Sequence, residues 1–370
     1  MADPKPRADP RPRPNILAIS AYVPGKSKLD AGAAARAIKL SANEGALGAS
    51  PRAIAAYRTA AEDIWRYPDG ASSELRAAIG VRFALAPERI VCGCGSGDVL
   101  HLLAQAYAGP GDEVIHTAHG FLLYPIAARA ADAVPVVAAE RARTASIDEI
   151  LARVSPRTKI VFLANPNNPT GTYVPAAELA RLRAGLPDDI LLVIDAAYCE
   201  YARAKDYSAG HELVEAGGNT VVSRTFSKFF GLAGLRLGWV HCPPAIADVL
   251  NRIRGPFNVA LPTQLAAVAA LEDREFQDAV RANNDKVLPW ISAELSALGL
   301  DVTPSQANFI LLNFPAGAAP GAKAANAHLD ARGIIVRAVG AYGLPDSLRI
   351  TIGTEAEMRA VRDAFAEFMR

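Results

Sequence analysis

In the stretch RTFSKFFGLAGLRLG (residues 224–238), Lys228 stands among groups that invite a chemical use. Two hydroxyls, Thr225 and Ser227, precede it, and a guanidinium, Arg236, follows eight residues later across an apolar run. A lysine so placed is either an ion-pair partner or a reactive amine. Three further clusters carry usable groups. GCGSGD (93–98) is a Gly/Ser turn with Ser96 and Gly97, ANPNNPTG (164–171) contains Asn168, and DAAY (195–198) sets Asp195 three residues before Tyr198. Taken singly, each has a plain reading. A strand-terminal aspartate is often structural, PNNPTG suits an ordinary turn because Asn, Pro and Gly all favour turns, and Phe121 by itself reads as core.

The elements that would position these clusters follow from the apolar patterning. RIVCG (89–93), DEVIHT (112–117), AVPVVAA (133–139), TKIVFLANP (158–166), DILLVIDAAY (189–198), NTVVSRT (219–225) and LGWVHC (237–242) read as strands. Helical patterns lie between them at 98–109, 124–131 and 175–187, the last with Pro near its start and Gly near its end. Unbroken apolar strands alternating with helices indicate the α/β class, a large domain with a mainly parallel sheet covered by helices. In such sheets ligands sit beyond the carboxyl ends of the strands, where all four polar clusters fall. Beyond residues 255–264 the pattern changes to a helical stretch over 263–298, strands at 307–314, 333–339 and 347–353, and two more helices, a smaller α+β domain. The expected organisation is a disordered tail (1–14), an N-terminal arm joining the small domain (15–48), the large domain (49–256) and the small domain (257–370).

The chain has 370 residues, 51% hydrophobic and 21% charged, enough to bury a large core. With 39 basic and 38 acidic residues it carries no field suited to a polyanion. The opening MADPKPRADPRPRP lacks an apolar stretch and reads as a disordered tail rather than a nucleic-acid arm. With no signal peptide and no run of eighteen apolar residues, a cytoplasmic protein without membrane or nucleic-acid partners is expected. Cys92 and Cys94 are too close for usual zinc spacing and no histidine cluster accompanies them, so no metal is expected, and the four cysteines read as buried free thiols.

Two common phosphate motifs are excluded. GCGSGD has Asp98 where a dinucleotide fingerprint needs glycine, and PGKSK (24–28) lacks the glycine four residues before Gly25. What remains is a turn opening a helix, whose N–H groups hold a phosphate well. Pyridoxal phosphate fits the clusters together. Its aldehyde needs an amine, which Lys228 supplies, and its ring nitrogen needs a carboxylate, which Asp195 supplies. Asn168 and Tyr198 can donate to the 3-oxygen, and Phe121 can face the ring. Ser96, Gly97, Thr225, Ser227 and Arg236 can cradle the phosphate.

On ANPNNPTG, RTFSKFFGLAGLRLG, RYPDG (66–70) and SLRITIG (347–353), the chain resembles the fold-type I pyridoxal-phosphate aminotransferases, and within them the histidinol-phosphate aminotransferases, from about Ile19 to the C-terminus. The resemblance implies that Lys228 carries the cofactor and shuttles the α-proton, and that Asp195 pairs with the pyridine nitrogen. It assigns Asn168 and Tyr198 to the 3-oxygen, Phe121 to stacking, and Ser96, Gly97, Thr225, Ser227 and Arg236 to the phosphate. Tyr67 would reach that phosphate from a neighbouring subunit, which implies a homodimer. Arg349 resembles the family's carboxylate arginine. Arg337 in GIIVRAV and Tyr22 in ISAYVPGKS match positions that hold substrate phosphate, and Asn43 lies in the loop LSANEG, which resembles the active-site loop.

The implied reaction is amino transfer between L-histidinol phosphate and 2-oxoglutarate, giving imidazole-acetol phosphate and glutamate, in histidine biosynthesis. Three alternatives use related patterns: an aromatic aminotransferase acting on phenylalanine or tyrosine, a decarboxylase of a phosphorylated amino acid, and a pyridoxal-binding regulator. The last needs a DNA-binding module for which the roughly forty residues before SANEG leave no room. Ser41, Gly45 and Ala46 depart from the usual N-x-N-E-N-P, Ala196 from the usual Glu, and Cys94 and Gly97 from the usual Asn and Asp. None of these removes a group given a role above, though the first bears on loop closure.

Overall fold

The computed structural model describes residues 11–23, 26, 37–217 and 219–370. Seven strands make the large sheet in the order Ile90–Gly93, Gly238–His241, Thr220–Thr225, Leu191–Asp195, Thr158–Ala164, Glu113–Thr117 and Val134–Ala138. Gly238–His241 runs antiparallel to both neighbours, and the other pairings are parallel. Glu113–Thr117, Leu191–Asp195 and Thr220–Thr225 are buried at every position, which is why none of them shows a polar, solvent-facing alternation and why Leu191–Ile194 is an unbroken apolar run.

Helices cover both faces. Phe162 and Val193 pack with Val99, Leu103 and Tyr124 in one buried cluster, while their chain neighbours Leu163 and Ile194 pack with Leu179 and Leu182 in another. That division follows from the period of two along a strand.

A second, antiparallel sheet has the order Asp301–Thr303, Phe309–Asn313, Ser347–Thr351 and Arg337–Ala338. Helices Arg274–Ala297, Ala322–Ala331 and Glu355–Phe368 enclose its core. The last helix begins at a capping box between Thr354 and Glu357. The arm enters this body through Ile38–Lys39, which pairs in parallel with Ile334–Ile335.

Several expectations differ from the structure. The single helical stretch over 263–298 is two helices, Leu261–Glu272 and Arg274–Ala297, because the Asp273 side chain accepts the Phe276 N–H at 3.3 Å and caps the second. A buried cluster continues across the boundary expected at 256/257, where Ala266, Ala267 and Ala270 pack with Ala53, Leu75 and Ile79 of the large body. Of the tail expected over 1–14, residues 1–10 lie outside the described residues, and Pro14 opens a short helix, Pro14–Leu17. Pro24, Gly25 and residues 27–36 of the arm, including most of PGKSK, also lie outside them. Cys92 and Cys242 are buried as expected, but Cys94 is exposed and Cys199 partly so, because Cys94 sits in the turn that leaves Ile90–Gly93. Among the described residues no helix is long and apolar enough to cross a membrane.

Candidate active site

The carboxyl ends of the large-sheet strands, the arm and strand Ser347–Thr351 enclose a cavity of about 580 Å³. One end is built to hold an anion. Helix Ser96–Tyr107 begins two residues earlier than the sequence suggests, after Gly95 at φ 90°, and no side chain caps it. The N–H groups of Ser96 and Gly97 therefore lack intrahelical partners. A side chain on Gly95 would collide with the Arg236 guanidinium, and one on Gly238 with the Ser96 backbone, so both glycines are needed for the cup to close. Arg236, itself left-handed at φ 52°, donates from Nη1 to Ser227 Oγ at 3.4 Å and to Ala233 O at 3.0 Å. Thr225 completes the cup from the end of its strand.

Beyond this cup, Lys228 Nζ donates to Ala42 O at 2.8 Å. Burial, reinforced by the Arg349 charge, brings the amine down from its ordinary 10.5 to about 7. Asp195, the last residue of its strand, is pushed up to about 6 by burial, against which the Tyr124 hydroxyl and the Ala197 N–H act. Tyr124 O–H donates to Asp195 Oδ2 at 2.9 Å, and Asp195 Oδ1 is buried without a partner. Tyr198 O–H accepts from Asn43 Nδ2 at 2.9 Å. Phe121 lines the cavity with its ring edge-on to Tyr124, centroids 5.9 Å apart.

The far end is cationic. Arg349 is 6% exposed; it donates from Nη1 to Asn168 Oδ1 and from Nη2 to Ser41 O at 2.8 Å, and its buried Nε has no partner. Arg337 stands directly opposite Arg349 in the antiparallel register, which puts both guanidinium stems on one face of the sheet. Arg337 Nη2 also donates to Val23 O at 2.8 Å, tying the arm across the cavity, which Tyr22 lines as well.

The cavity thus gathers all the residues singled out from sequence except Tyr67. That ring is 82% exposed and stacks on Phe257 at 4.6 Å, so Tyr67 does not serve the cavity of its own chain. Asn43 lines the cavity, and its amide donates to the Tyr198 hydroxyl oxygen at 2.9 Å and accepts from Thr351 Oγ1 at 3.1 Å, so it also holds Tyr198 in place. Sequence reasoning missed Tyr124, Lys39 and Tyr342. A tyrosine inside an apolar helix was the available signal for Tyr124, because a buried phenol needs a hydrogen-bond partner. The departures in SANEGA cost nothing visible here. The Ser41 and Ala42 carbonyls accept from Arg349 and Lys228, the Ser41 hydroxyl donates to Lys26 O at 2.8 Å, and a side chain on Gly45 would press on Lys228 O at 3.1 Å.

The residues present fit pyridoxal phosphate. The unpartnered Asp195 Oδ1 suits a protonated ring nitrogen, the uncapped helix start with its two hydroxyls and Arg236 suits the phosphate, and the near-neutral Lys228 amine suits the aldehyde.

This fold and cavity define an aminotransferase, and the chain belongs to the family described as "Aminotransferase class I and II", whose profile matches residues 35–365. It is 57% identical over 360 residues to the histidinol-phosphate aminotransferase of Paramagnetospirillum magneticum, covering 97% of this chain and 99% of that protein. It is 57% identical over 361 residues to the protein of the same name from Rhodospirillum centenum, covering 98% and 99%. The crystal structure of histidinol-phosphate aminotransferase from Sinorhizobium meliloti in complex with pyridoxal-5'-phosphate superposes with a TM-score of 0.88 at 28% identity, covering 98% of each chain.

Proposed function

We propose that this protein transfers an amino group from L-histidinol phosphate to 2-oxoglutarate, forming imidazole-acetol phosphate and L-glutamate as a step of histidine biosynthesis. The observation that carries the reading is the pair Arg337 and Arg349, opposite each other in register at one end of a cavity whose other end holds Lys228, Asp195 and the anion cup. One cationic end can take the carboxylate of glutamate in one half-reaction and the phosphate of histidinol phosphate in the other.

Bound in the cavity, pyridoxal phosphate supplies an electron sink and a carrier for the amino group. Asp195 would hold its ring nitrogen, Asn168 and Tyr198 its 3-oxygen, and Phe121 one ring face. Ser96, Gly97, Thr225, Ser227 and Arg236 would hold its phosphate. Lys228 Nζ, whose amine is brought down to about 7 by burial and so has a large neutral fraction near pH 7, would take the proton from the substrate Cα. Arg349 orients the substrate by its anion, with Arg337 and Tyr22 adding donors for a phosphate.

The protein acts as a homodimer in this reading, with Tyr67 reaching the phosphate cup of the partner subunit. Tyr67, Trp65, Ile64 and Tyr57 are exposed on the surface of their own chain, which supports such an interface. The direct test supplies purified protein with histidinol phosphate and 2-oxoglutarate and measures glutamate. No glutamate, or a more than tenfold preference for phenylalanine (roughly 1.4 kcal/mol of transition-state discrimination), overturns it.

A further inference from the structure

Tyr124 touches two walls of the cavity at once. Its ring lies 1% exposed between Phe162, stacked at 5.0 Å and 7°, and Phe121, edge-on at 5.9 Å and 89°. Its hydroxyl donates to Asp195 Oδ2 at 2.9 Å. The Asp195 carboxylate has two oxygens. With Oδ2 taken, Oδ1 is the one left buried and unpartnered beside the cavity.

From this geometry we infer that Tyr124 is a positioning residue: it selects the oxygen of Asp195 that meets the cofactor's ring nitrogen and keeps that carboxylate from drawing the proton off the nitrogen. The inference rests on the function proposed above. A carboxylate that already accepts one strong hydrogen bond is a weaker base toward a second donor. The proton shared between ring nitrogen and carboxylate therefore stays on nitrogen, where it makes the ring an electron sink. Without the hydroxyl, the more basic carboxylate draws that proton across and leaves a neutral ring beside a neutral acid. In this dry pocket such a pair is cheaper than an ion pair supported from one side only.

Tyr124→Phe separates the two contacts, because the ring that braces Phe121 stays while the hydroxyl goes. Three readouts apply: the affinity of the apoprotein for pyridoxal phosphate by fluorescence quenching, the nitrogen-15 shift of ring-labelled cofactor on the protein, and turnover. The expected result is cofactor affinity weakened about tenfold, a ring-nitrogen resonance moved toward neutral pyridine, and kcat reduced by about ten- to a hundredfold, with KM values within about twofold. In an Asp195→Asn background the same change should move the ring-nitrogen shift no further, which excludes a purely structural effect. If the wild type takes up no pyridoxal phosphate, the reading of the site itself fails. If the wild type binds it and Tyr124→Phe matches it in nitrogen shift and affinity, this inference alone is overturned.

Discussion

Arg349 of the small sheet and Asn168 at the end of a large-sheet strand are joined directly, guanidinium Nη1 donating to amide Oδ1. The residue expected to hold the substrate anion thus also holds the amide expected at the cofactor's 3-oxygen. With Nη1 and Nη2 engaged by Asn168 and Ser41 O, the buried Nε is left unpartnered at the anion end. Arg349→Ala therefore loses both the anion contact and the anchoring of Asn168. We expect kcat/KM to fall about 10²- to 10³-fold for glutamate and histidinol phosphate alike, or roughly 3–4 kcal/mol. Arg349→Lys should recover little of it, because one ammonium cannot reproduce three directed contacts. Steady-state kinetics of each half-reaction decides; a lysine variant with wild-type constants removes Arg349 from its role.

Lys228 has its amine brought down to about 7, chiefly by burial. Only the neutral amine attacks an aldehyde, so the rate at which apoprotein recaptures pyridoxal phosphate should rise through about pH 7 and level off, rather than climbing toward pH 10 as for an exposed lysine. Stopped-flow absorbance across pH 5.5–9.5 tests the inflection. Lys228→Ala should give no borohydride-fixed adduct at position 228 and lose more than about a thousandfold in turnover. Normal turnover in that variant would falsify the assignment.

The groups legible in the sequence are those at the ends of apolar strands. Asp195, Thr225 and Asn168 could be read there because a parallel sheet sends every strand's carboxyl end to the same edge, and the structure brings them to one cavity. Tyr124 was not legible in this way, since its partner Asp195 lies 71 residues on and its neighbours in sequence are ordinary helix. Lys39 and Tyr342 escaped for the same reason: each faces the cavity through tertiary packing, with no local pattern to announce it. Asn43 shows the converse. Its place in the loop was legible, but the engagement of its amide by Tyr198 and Thr351 depends on chain segments 155 and 308 residues away.

Asp195 gives the apoprotein a distinct pH signature. Its folded carboxyl is raised from 3.8 to about 6, mainly by burial. Between those values the folded state keeps a proton that the unfolded chain has released, so this group's contribution is fully present below pH 3.8 and lost as pH rises through about 6. The decline amounts to at most ~3 kcal/mol. Urea midpoints of apoprotein between pH 4 and 7 should show that slope in the wild type and a shallower one in Asp195→Asn. Identical slopes would mean that Asp195 does not titrate in this window.

Behind the cavity, Arg224 Nη2 donates to Glu200 Oε1 at 2.6 Å, with side chains only 5% and 6% exposed. The guanidinium also lies over Phe83 at 4.5 Å and Trp239 at 5.3 Å. Glu200→Ala strands that cation in a dry site immediately before Thr225, one of the groups of the anion cup. The expected loss is about 3–5 kcal/mol in folding stability, because an unpaired buried charge costs far more than the pair contributes. Replacing both partners by apolar residues, Glu200→Leu with Arg224→Met, should recover most of it, since no charge is then left behind. Chemical denaturation of the three proteins separates these terms. If the single and the double variant are equally destabilised, the loss comes from packing on Phe83 and Trp239 rather than from the stranded charge.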